Sequence, residues 1–356
     1  MRNYFIGTTG RYYFPGLYTA VLPMAPGIDG IYAVTPRNPA PDRIRSGDRR
    51  RRVLEPRISM EASLTVPAPD RDGTVEDVRF ETKDGRTLTG RLHRQRPAPQ
   101  LAVVLHGGAG FPARFYQDFA AWLSATHGAA VLTYDYRDFG WSLQRSLADS
   151  DARLRDWAIT DQSAALSCLV RRFPSLPPRV IGHSLGGQWL AFHDDVGRID
   201  RVAAVASGPG YWRDHPWSMK PLVIAFWWLL GPLATRAAGY LPGQTLGLGA
   251  DMPADVYWEW RKLCLRPDFH RSEWGRDYPQ PRLDEARFQL TLVPIADDAL
   301  IAPHMVRKLP AFYPQARVSE TLLDPVALGL DAIGHGGAFL ARNKACWPLI
   351  AAPLLD

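Results

Sequence analysis

The chain has 356 residues, of which 46% are hydrophobic, so it can form one large domain, or one domain with an insertion, around a sizeable core. Its three cysteines, Cys168, Cys264 and Cys346, lie far apart, which excludes a disulfide framework and favours a reducing, cytoplasmic compartment. The net charge of +6 belongs to residues 1–60, which hold 10 of the 42 basic and 4 of the 36 acidic residues. The remaining body is formally neutral, so no nucleic-acid partner is expected.

Residues 1–60 are rich in Gly, Pro, Tyr and Arg and follow no sustained hydrophobic period. This composition predicts a disordered or loosely packed basic leader, and no apolar segment in it has the form of a signal peptide. Its densest charge cluster is Arg49-Arg50-Arg51-Arg52. We interpret the cluster as a solvated tail, with a patch that contacts nucleic acid or, weakly, an anionic membrane surface as the alternative.

From residue 75 the pattern becomes regular. Residues 75–82 and 86–93 alternate apolar and polar positions around Asp84-Gly85, which predicts a β-hairpin. Residues 101–105 and 129–134 are short apolar runs typical of buried parallel strands. Further strands are expected at 179–181, 201–206, 289–295 and 316–322, and helices at 115–125, 153–173 (with Asp161 and Arg171 on its polar positions) and 338–349. This alternation predicts an α/β fold with a mostly parallel central sheet flanked by helices.

Between residues 207 and 281 the alternation stops, and this stretch holds seven of the twelve tryptophans. It contains an apolar run over 222–230, bounded by Pro221 and Gly231-Pro232, which is too short to span a bilayer. We predict a Trp-rich helical insertion over the sheet, with residues 61–206 and 282–356 forming the core. The insertion is interpreted either as a packed structural cap or as a lid that supplies an apolar substrate pocket.

The most informative motif is Gly182-His183-Ser184-Leu185-Gly186. It follows the apolar residues 179–181 and precedes residues 187–192, which have a helical pattern. A strand–turn–helix context is what a G-x-S-x-G nucleophile elbow requires, because the sharp turn leaves no room for side chains beside the serine. The motif predicts that Ser184 is a nucleophile, the alternative being an ordinary Gly-rich turn.

A serine nucleophile needs a base and a group that orients the base, and in this context they follow the serine as an acid and then a histidine. His335 is the best candidate base, since it lies in a Gly-rich loop, residues 332–338, before the last helix. Asp297 and Asp298 both follow the strand at 289–295. We favour Asp298 as the acid because of its distance from the next helix, with Asp297 as the alternative, and either can instead cap a helix.

Backbone N–H groups should hold the oxyanion of an acyl-transfer reaction. Leu185, directly after the nucleophile, is one expected donor, and Gly108 in the loop after residues 101–105 is the other, with Ala109 as the near alternative. That loop, His106-Gly107-Gly108-Ala109-Gly110, lacks the spacing of nucleotide-binding loops. The sequence also lacks metal-binding spacings of His and Cys, so neither a cofactor nor a metal is expected.

These residues, together with Tyr134-Asp135-Tyr136-Arg137, resemble the α/β-hydrolase superfamily. More narrowly, the chain is similar over residues 75–355 to a bacterial group of predicted hydrolases related to serine aminopeptidase and monoacylglycerol lipase-like enzymes. This resemblance rests on Asp156-Trp157-Ala158, Gly210-Tyr211-Trp212, Gly239-Tyr240-Leu241-Pro242-Gly243, Trp260-Arg261-Lys262-Leu263-Cys264 and Ile333-Gly334-His335. The chain departs from the group at Asp138, where members usually have Gly after the arginine.

The resemblance implies an α/β-hydrolase fold and hydrolysis through a Ser-His-Asp triad. We therefore expect a serine hydrolase that acts on an ester or thioester of a small to medium acyl substrate. Two alternatives belong to different classes: a peripheral membrane lipase with the insertion as its lid, and a non-catalytic ligand-binding protein on a hydrolase fold.

Overall fold

The computed structural model describes residues 73–95 and 98–355. The basic leader at residues 1–60, with its Arg49–Arg52 cluster, and the first residues of the expected core lie outside this part of the chain.

The described chain is organised around one large sheet. Its strands are β1 Gly73–Glu81, β2 Thr87–Gln95, β3 Leu101–His106, β4 Ala129–Tyr134, β5 Pro178–His183, β6 Arg201–Val205, β9 Gln289–Val293 and β10 Arg317–Glu320, while β7 Tyr240–Leu241 and β8 Met252–Pro253 form a separate ladder. The order in the sheet is β1-β2-β4-β3-β5-β6-β9-β10. The pairs β1–β2 and β2–β4 are antiparallel and the others are parallel, which confirms the mostly parallel sheet.

Helices cover both faces of the sheet because its inner strands are apolar on both sides. Val103 and Leu105 of β3 belong to one buried cluster, and Ala102 and Val104 belong to the other. The first cluster is covered by the helices Gln117–His127 and Trp347–Ala351, and the second by the helix Gln162–Arg172. The α/β fold class is thus confirmed.

The β1–β2 hairpin is confirmed, with Phe80 opposite Leu88. The N–H of Thr82 donates to the carbonyl of Arg86 at 2.9 Å, which closes the turn. Gly85 has φ +79° there, a conformation that favours glycine, and a Cβ at this position would meet no atom within 4 Å.

The helix predicted after the elbow is wrong. Only the 3₁₀ turns Ser184–Gly187 and Leu190–Phe192 occur there, because two intervening side chains turn inward. Gln188 donates to the carbonyl of Gly208 at 2.6 Å, and the buried Trp189 stacks on His270 with ring centroids 4.1 Å apart. These tertiary contacts outweigh the local helical pattern.

The C-terminal prediction needs a smaller correction. His335 lies in a one-turn helix, Gly334–Gly337, and not in a loop. The single helix expected over 338–349 is divided into a 3₁₀ segment, Ala341–Cys346, and the helix Trp347–Ala351. Asn343 has non-helical dihedrals inside the first segment, and its side chain donates to the carbonyls of Ala332 and Gly337.

The helix predicted over 153–173 forms, with a π-helical turn at Asp156–Asp161, but the assignment of Asp161 to its polar surface is wrong. Asp161 is fully buried and pairs with the Arg137 guanidinium at 2.7 Å. Burial raises the pKa of Asp161 to about 6, although the Arg137 charge acts in the opposite direction. A buried ion pair has the same polar pattern as a solvated helix face, so periodicity could not separate the two.

Residues 207–281 are mainly helical, as predicted, but their apolar run is part of a longer helix than the sequence indicated. The helix Lys220–Ala238 has 19 residues and, among the described residues, is the one segment long and apolar enough to cross a membrane by these criteria alone. It continues through Pro232 because a π-helical turn, Phe226–Leu230, widens the helix just before the ring. Gly239 ends it at φ +78°.

The same region contacts the loop after β3. The N–H of Ala250 donates to the carbonyl of Gly110 at 2.8 Å. Gly110 has φ +80°, and a Cβ there would lie 2.7 Å from the carbonyl oxygen of Leu248. Whether this region acts as a lid stays a prediction, but its backbone lies directly on the predicted oxyanion loop.

Candidate active site

The candidate site lies at the carboxyl ends of β3 and β5, where the chain order of the parallel strands reverses. The chain passes from β3 to β4 on one side and then returns to β5 on the other. His106 at the end of β3 is opposite Gly182 of β5. The loop 106–110 with the predicted oxyanion donors, called the donor loop below, therefore leaves the sheet beside the elbow. Such a reversal leaves a crevice, which is the usual ligand position in open α/β sheets.

Ser184 is held in a left-handed backbone conformation with φ +52°. Non-glycine residues rarely adopt this conformation, which is a local strain maintained by the surrounding structure. A Cβ at Gly182 would collide with Gly187, and a Cβ at Gly186 would collide with the backbone of His106. The flanking glycines therefore allow the close approach of the elbow to β3.

The structure brings the predicted nucleophile, base and acid into one hydrogen-bonded series. His335 Nε2 lies 2.9 Å from Ser184 Oγ. His335 Nδ1 lies 2.7 Å from Asp298 Oδ2. The Asp298 side chain is fully buried, and its other oxygen accepts the N–H groups of Leu300 and Ile301 at 2.8 and 3.0 Å. The acid is thus fixed from two sides while it faces the imidazole.

Asp297, the alternative acid, does not contact the imidazole. Its two oxygens accept the backbone N–H groups of Ile333 and Gly334 at 2.9 and 3.0 Å. It therefore fastens the turn that carries His335, while its neighbour Asp298 contacts the ring. Adjacent residues thus have separate geometric roles.

A second series of hydrogen bonds lies beneath the first. The Tyr116 hydroxyl is 2.7 Å from His183 Nδ1 and accepts the Gly108 N–H at 2.9 Å. His183 Nε2 is 3.0 Å from the carbonyl oxygen of His335. A carbonyl can only accept, so Nε2 carries the proton and Tyr116 donates to Nδ1.

This direction of donation requires a neutral His183. Burial, with a smaller effect from the nearby His335, lowers the pKa of His183 to about 3. The series thus joins the donor loop, the elbow and the backbone of the candidate base. Sequence reasoning missed Tyr116, and its only available indication was a hydroxyl on the apolar face of a helix start.

The predicted oxyanion donors surround Ser184, but they are not equivalent. Within the described residues, the N–H groups of Leu185 and Ala109 donate to no other protein group. The N–H of Gly108 is already bonded to Tyr116, although a Cβ at Gly108 would lie 3.1 Å from the Ser184 Cβ. This contact counts against Gly108 and favours Ala109, and the role of each stays a prediction.

The remaining downstream histidines have partners away from Ser184. His193 is buried and contacts the carbonyl of Ala158, and burial lowers its pKa to about 4. His270 accepts the Trp274 indole N–H at 2.8 Å, and burial lowers its pKa to about 3. His215 is buried beside Ala299, and the exposed His304 donates to the carbonyl of Asp214. Because none of these contacts involves Ser184, His335 remains the candidate base.

The departure at Asp138 is accommodated locally. Asp138 has φ +52°, the conformation that the usual glycine adopts most easily, and Asp tolerates it better than most residues. Its buried carboxylate accepts the Arg86 guanidinium at 2.6 Å and the Ser150 hydroxyl at 2.7 Å. These bonds offset the strain and hold the loop in place.

Comparison with known proteins finds a family similar to part of the chain. Residues 97–251 match the family model described as serine aminopeptidase, S33, a range that includes Ser184 but neither Asp298 nor His335. No curated protein sequence matches the chain. The chain is thus similar to this family over the part that contains Gly108 and Ser184.

Solved structures with similar backbones include an esterase from Pyrococcus furiosus, with 16% identity over 80% of this chain and 92% of the other and a TM-score of 0.49. An esterase from Exiguobacterium antarcticum has 11% identity, covering 79% of this chain and 100% of the other, with a TM-score of 0.48. A bromoperoxidase from Bacillus anthracis has 15% identity with the same coverages and TM-score.

Proposed function

We propose that the chain is a serine hydrolase that cleaves an acyl ester or thioester of a small to medium substrate through an acyl-enzyme. The observation that carries the proposal is the hydrogen-bonded series from Ser184 Oγ through His335 to Asp298. A serine hydroxyl needs a base within hydrogen-bond reach, and the base needs an orienting group on its other nitrogen.

In the first half of the reaction, Ser184 Oγ attacks the carbonyl carbon while its proton passes to His335 Nε2. The tetrahedral intermediate collapses as the bond to the leaving alcohol or thiol breaks, and the imidazolium returns the proton to that group. The Asp298 carboxylate stabilises the imidazolium through Nδ1. In the second half, water repeats the attack on the acyl-enzyme, which releases the acid and restores the Ser184 hydroxyl.

The oxyanion of each intermediate is expected to accept the N–H groups of Leu185 and Ala109. Both are unengaged and adjoin the nucleophile, one from the elbow and one from the donor loop. Donors positioned before the reaction stabilise developing charge without reorganisation, and each contributes about 3 kcal/mol in comparable sites. Gly108 supports the loop through Tyr116 in this scheme.

Charge favours an ester or thioester over a peptide with a free amino terminus. An aminopeptidase has to bind a substrate ammonium group, which requires an unpaired acidic side chain or several carbonyl acceptors. Residues 215–250, which include the segment on the donor loop, contain no Asp or Glu. Asp214, just before them, is paired with Lys308 at 2.6 Å.

A fluorophosphonate probe tests the nucleophile, with turnover of p-nitrophenyl esters of graded acyl length as the second measurement. We expect labelling and turnover in the parent protein and in Ser218→Ala, a matched change at an exposed serine. Ser184→Ala should lose both. Labelling that persists in Ser184→Ala would contradict the proposal. Ligand-induced thermal shifts without labelling or turnover in the parent would favour the non-catalytic alternative.

A further inference from the structure

The helix Lys220–Ala238 has an apolar outer face that no described residue covers. The helix has 19 residues and is therefore about 28 Å long. Only 28% of its most apolar 18-residue stretch is buried. Large side chains with 40–58% of their surface exposed follow one another on it: Leu222, Ile224, Trp228, Leu229, Leu230 and Leu233. Soluble proteins rarely expose a continuous apolar surface of this size without a partner.

The opposite face of the helix is firmly packed. Trp227 is buried, stacks on Tyr257 with ring centroids 6.0 Å apart, and meets Trp260 edge-on at 5.1 Å. The Arg261 guanidinium also donates to the carbonyl of Trp227. One face is therefore attached to the protein along its length, which fits a helix lying on a membrane surface and not one crossing it.

Basic residues predominate around this face, and the adjacent Asp214 is paired with Lys308 at 2.6 Å. Residues 215–250 contain no acidic residue, and their charged residues are Lys220 and Arg236, with Arg213 shortly before. Lys220 Nζ lies 3.7 Å from the ring centroid of Trp217, which is 83% exposed. Arg213 stacks on Trp212 at 5.0 Å. A groove between these cations is lined by Trp212, Arg213, Trp217, Lys220, Pro221 and Ile224.

We propose that this face binds an anionic lipid surface. The helix lies in the interface plane, its leucines enter the acyl boundary, and Arg213 and Lys220 contact lipid phosphates. Exposed tryptophan beside lysine is typical of residues at the headgroup level. A second copy of the chain fits less well, because two such faces would place cations opposite cations, and residues 215–250 contain no Asp or Glu to pair with them.

The proposal goes beyond the proposed function, since binding to lipid requires no catalysis. The face begins close to the candidate site: Asp214 is bonded to His304 and Lys308, only a few residues after Asp298. A site held beside a lipid surface would receive acyl substrates from that surface. This last consequence, unlike the binding itself, rests on the proposed function.

The test is vesicle flotation of the full-length chain carrying Ser184→Ala, so that inactive protein reports binding alone. Vesicles contain either phosphatidylcholine or equimolar phosphatidylcholine and phosphatidylglycerol. We expect flotation with the anionic vesicles at low salt. Adding Leu229→Glu and Leu233→Glu, on neighbouring turns of the exposed face, should weaken binding at least about tenfold. Adding Arg213→Gln and Lys220→Gln should weaken anionic binding about fivefold per charge and leave phosphatidylcholine binding unchanged.

Val326→Glu is the matched control, since Val326 is 84% exposed outside the helix, and it should float like its parent. If the double glutamate variant unfolds at a lower temperature, Leu229→Gln with Leu233→Gln replaces it. Unchanged flotation of the leucine variants would overturn the proposal and assign any binding to the basic leader. Absence of flotation in the parent would also overturn it, as would a dimer, seen by sedimentation velocity, that the leucine changes dissociate without any vesicle binding.

Discussion

Side chains at the carboxyl edge of the sheet are hydrogen-bonded within the protein, whereas those on the outer face of the helix Lys220–Ala238 are apolar and exposed. At the sheet edge, Asp298 accepts three hydrogen bonds, and His335 is held at both nitrogens and at its carbonyl. On the helix, large apolar side chains face outward without a partner among the described residues. The first region thus has its partners among the described residues, whereas the second presents an apolar surface that no described residue covers.

The largest predicted change in kcat distinguishes Asp298 from its acidic neighbour Asp297. Asp298→Asn should lower kcat about 10⁴-fold, because an amide cannot stabilise the imidazolium and favours the wrong tautomer. Asp297→Asn should cost far less, about tenfold, since this residue holds only the backbone of Ile333 and Gly334. Steady-state kinetics on a p-nitrophenyl ester measures both. Equal losses would reject the assignment of Asp298 as the acid.

A pair of glycines tests how tightly segment 248–250 packs on the loop after β3. Gly110→Ala should destabilise the protein by more than 2 kcal/mol, because it adds a clash with the Leu248 carbonyl to the strain of a positive φ. Gly85→Ala has nearly the same φ but open space, so it should cost about 1 kcal/mol. Urea unfolding compares the two variants. Similar losses would mean that segment 248–250 moves away easily.

Three buried histidines predict that the stability of the protein is sensitive to acid. The pKa values of His183, His193 and His270 are lowered to about 3, 4 and 3. Below about pH 6.5 these histidines therefore bind protons in the unfolded state but remain neutral in the folded state. Stability should fall as the pH falls from 7.5 to 5, by about 2 kcal/mol for each histidine.

Two carboxyls oppose this trend. Burial raises the pKa values of Asp135 and Asp161 to about 6, which favours the folded state as the pH falls toward 4. Because three histidines lower the stability and only two carboxyls raise it, the free energy of unfolding should still fall between pH 7.5 and pH 5. Urea unfolding at the two pH values measures it, and His270→Gln should make the pH dependence shallower. A protein more stable at pH 5 than at pH 7.5 would show the opposite balance.

The smallest expected effect concerns the support of the donor loop. Tyr116→Phe removes the hydroxyl that joins Gly108 to His183, and should lower kcat about tenfold with little change in KM. Phe115→Leu, a change on the neighbouring buried ring, is the control for packing alone and should leave kcat within about twofold. A Tyr116→Phe variant with parental kcat would mean that the hydrogen bonds among Gly108, Tyr116 and His183 have only a structural role.

Much of the core was predictable because its information is local. Apolar runs such as 101–105 and the turn at Asp84-Gly85 predict strands and a hairpin wherever they lie in the fold. The candidate elbow, the acidic pair and His335 could likewise be selected from motif and order, and their catalytic roles stay predictions. The helix after the elbow and the polar position of Asp161 were wrong, since Trp189 and Arg137 contact residues distant in sequence.

The fold class and the candidate chemical groups follow from the amino-acid sequence alone, because periodicity and glycine placement act over a few residues. Three-dimensional contacts were needed to distinguish Asp298 from Asp297, to find Tyr116 beneath the loop, and to favour Ala109 over Gly108. Each of these choices depends on distances of about 3 Å between residues far apart along the chain. The same applies to the helix Lys220–Ala238, whose apolar composition is visible in the sequence but whose outward face is decided by packing against Tyr257 and Trp260.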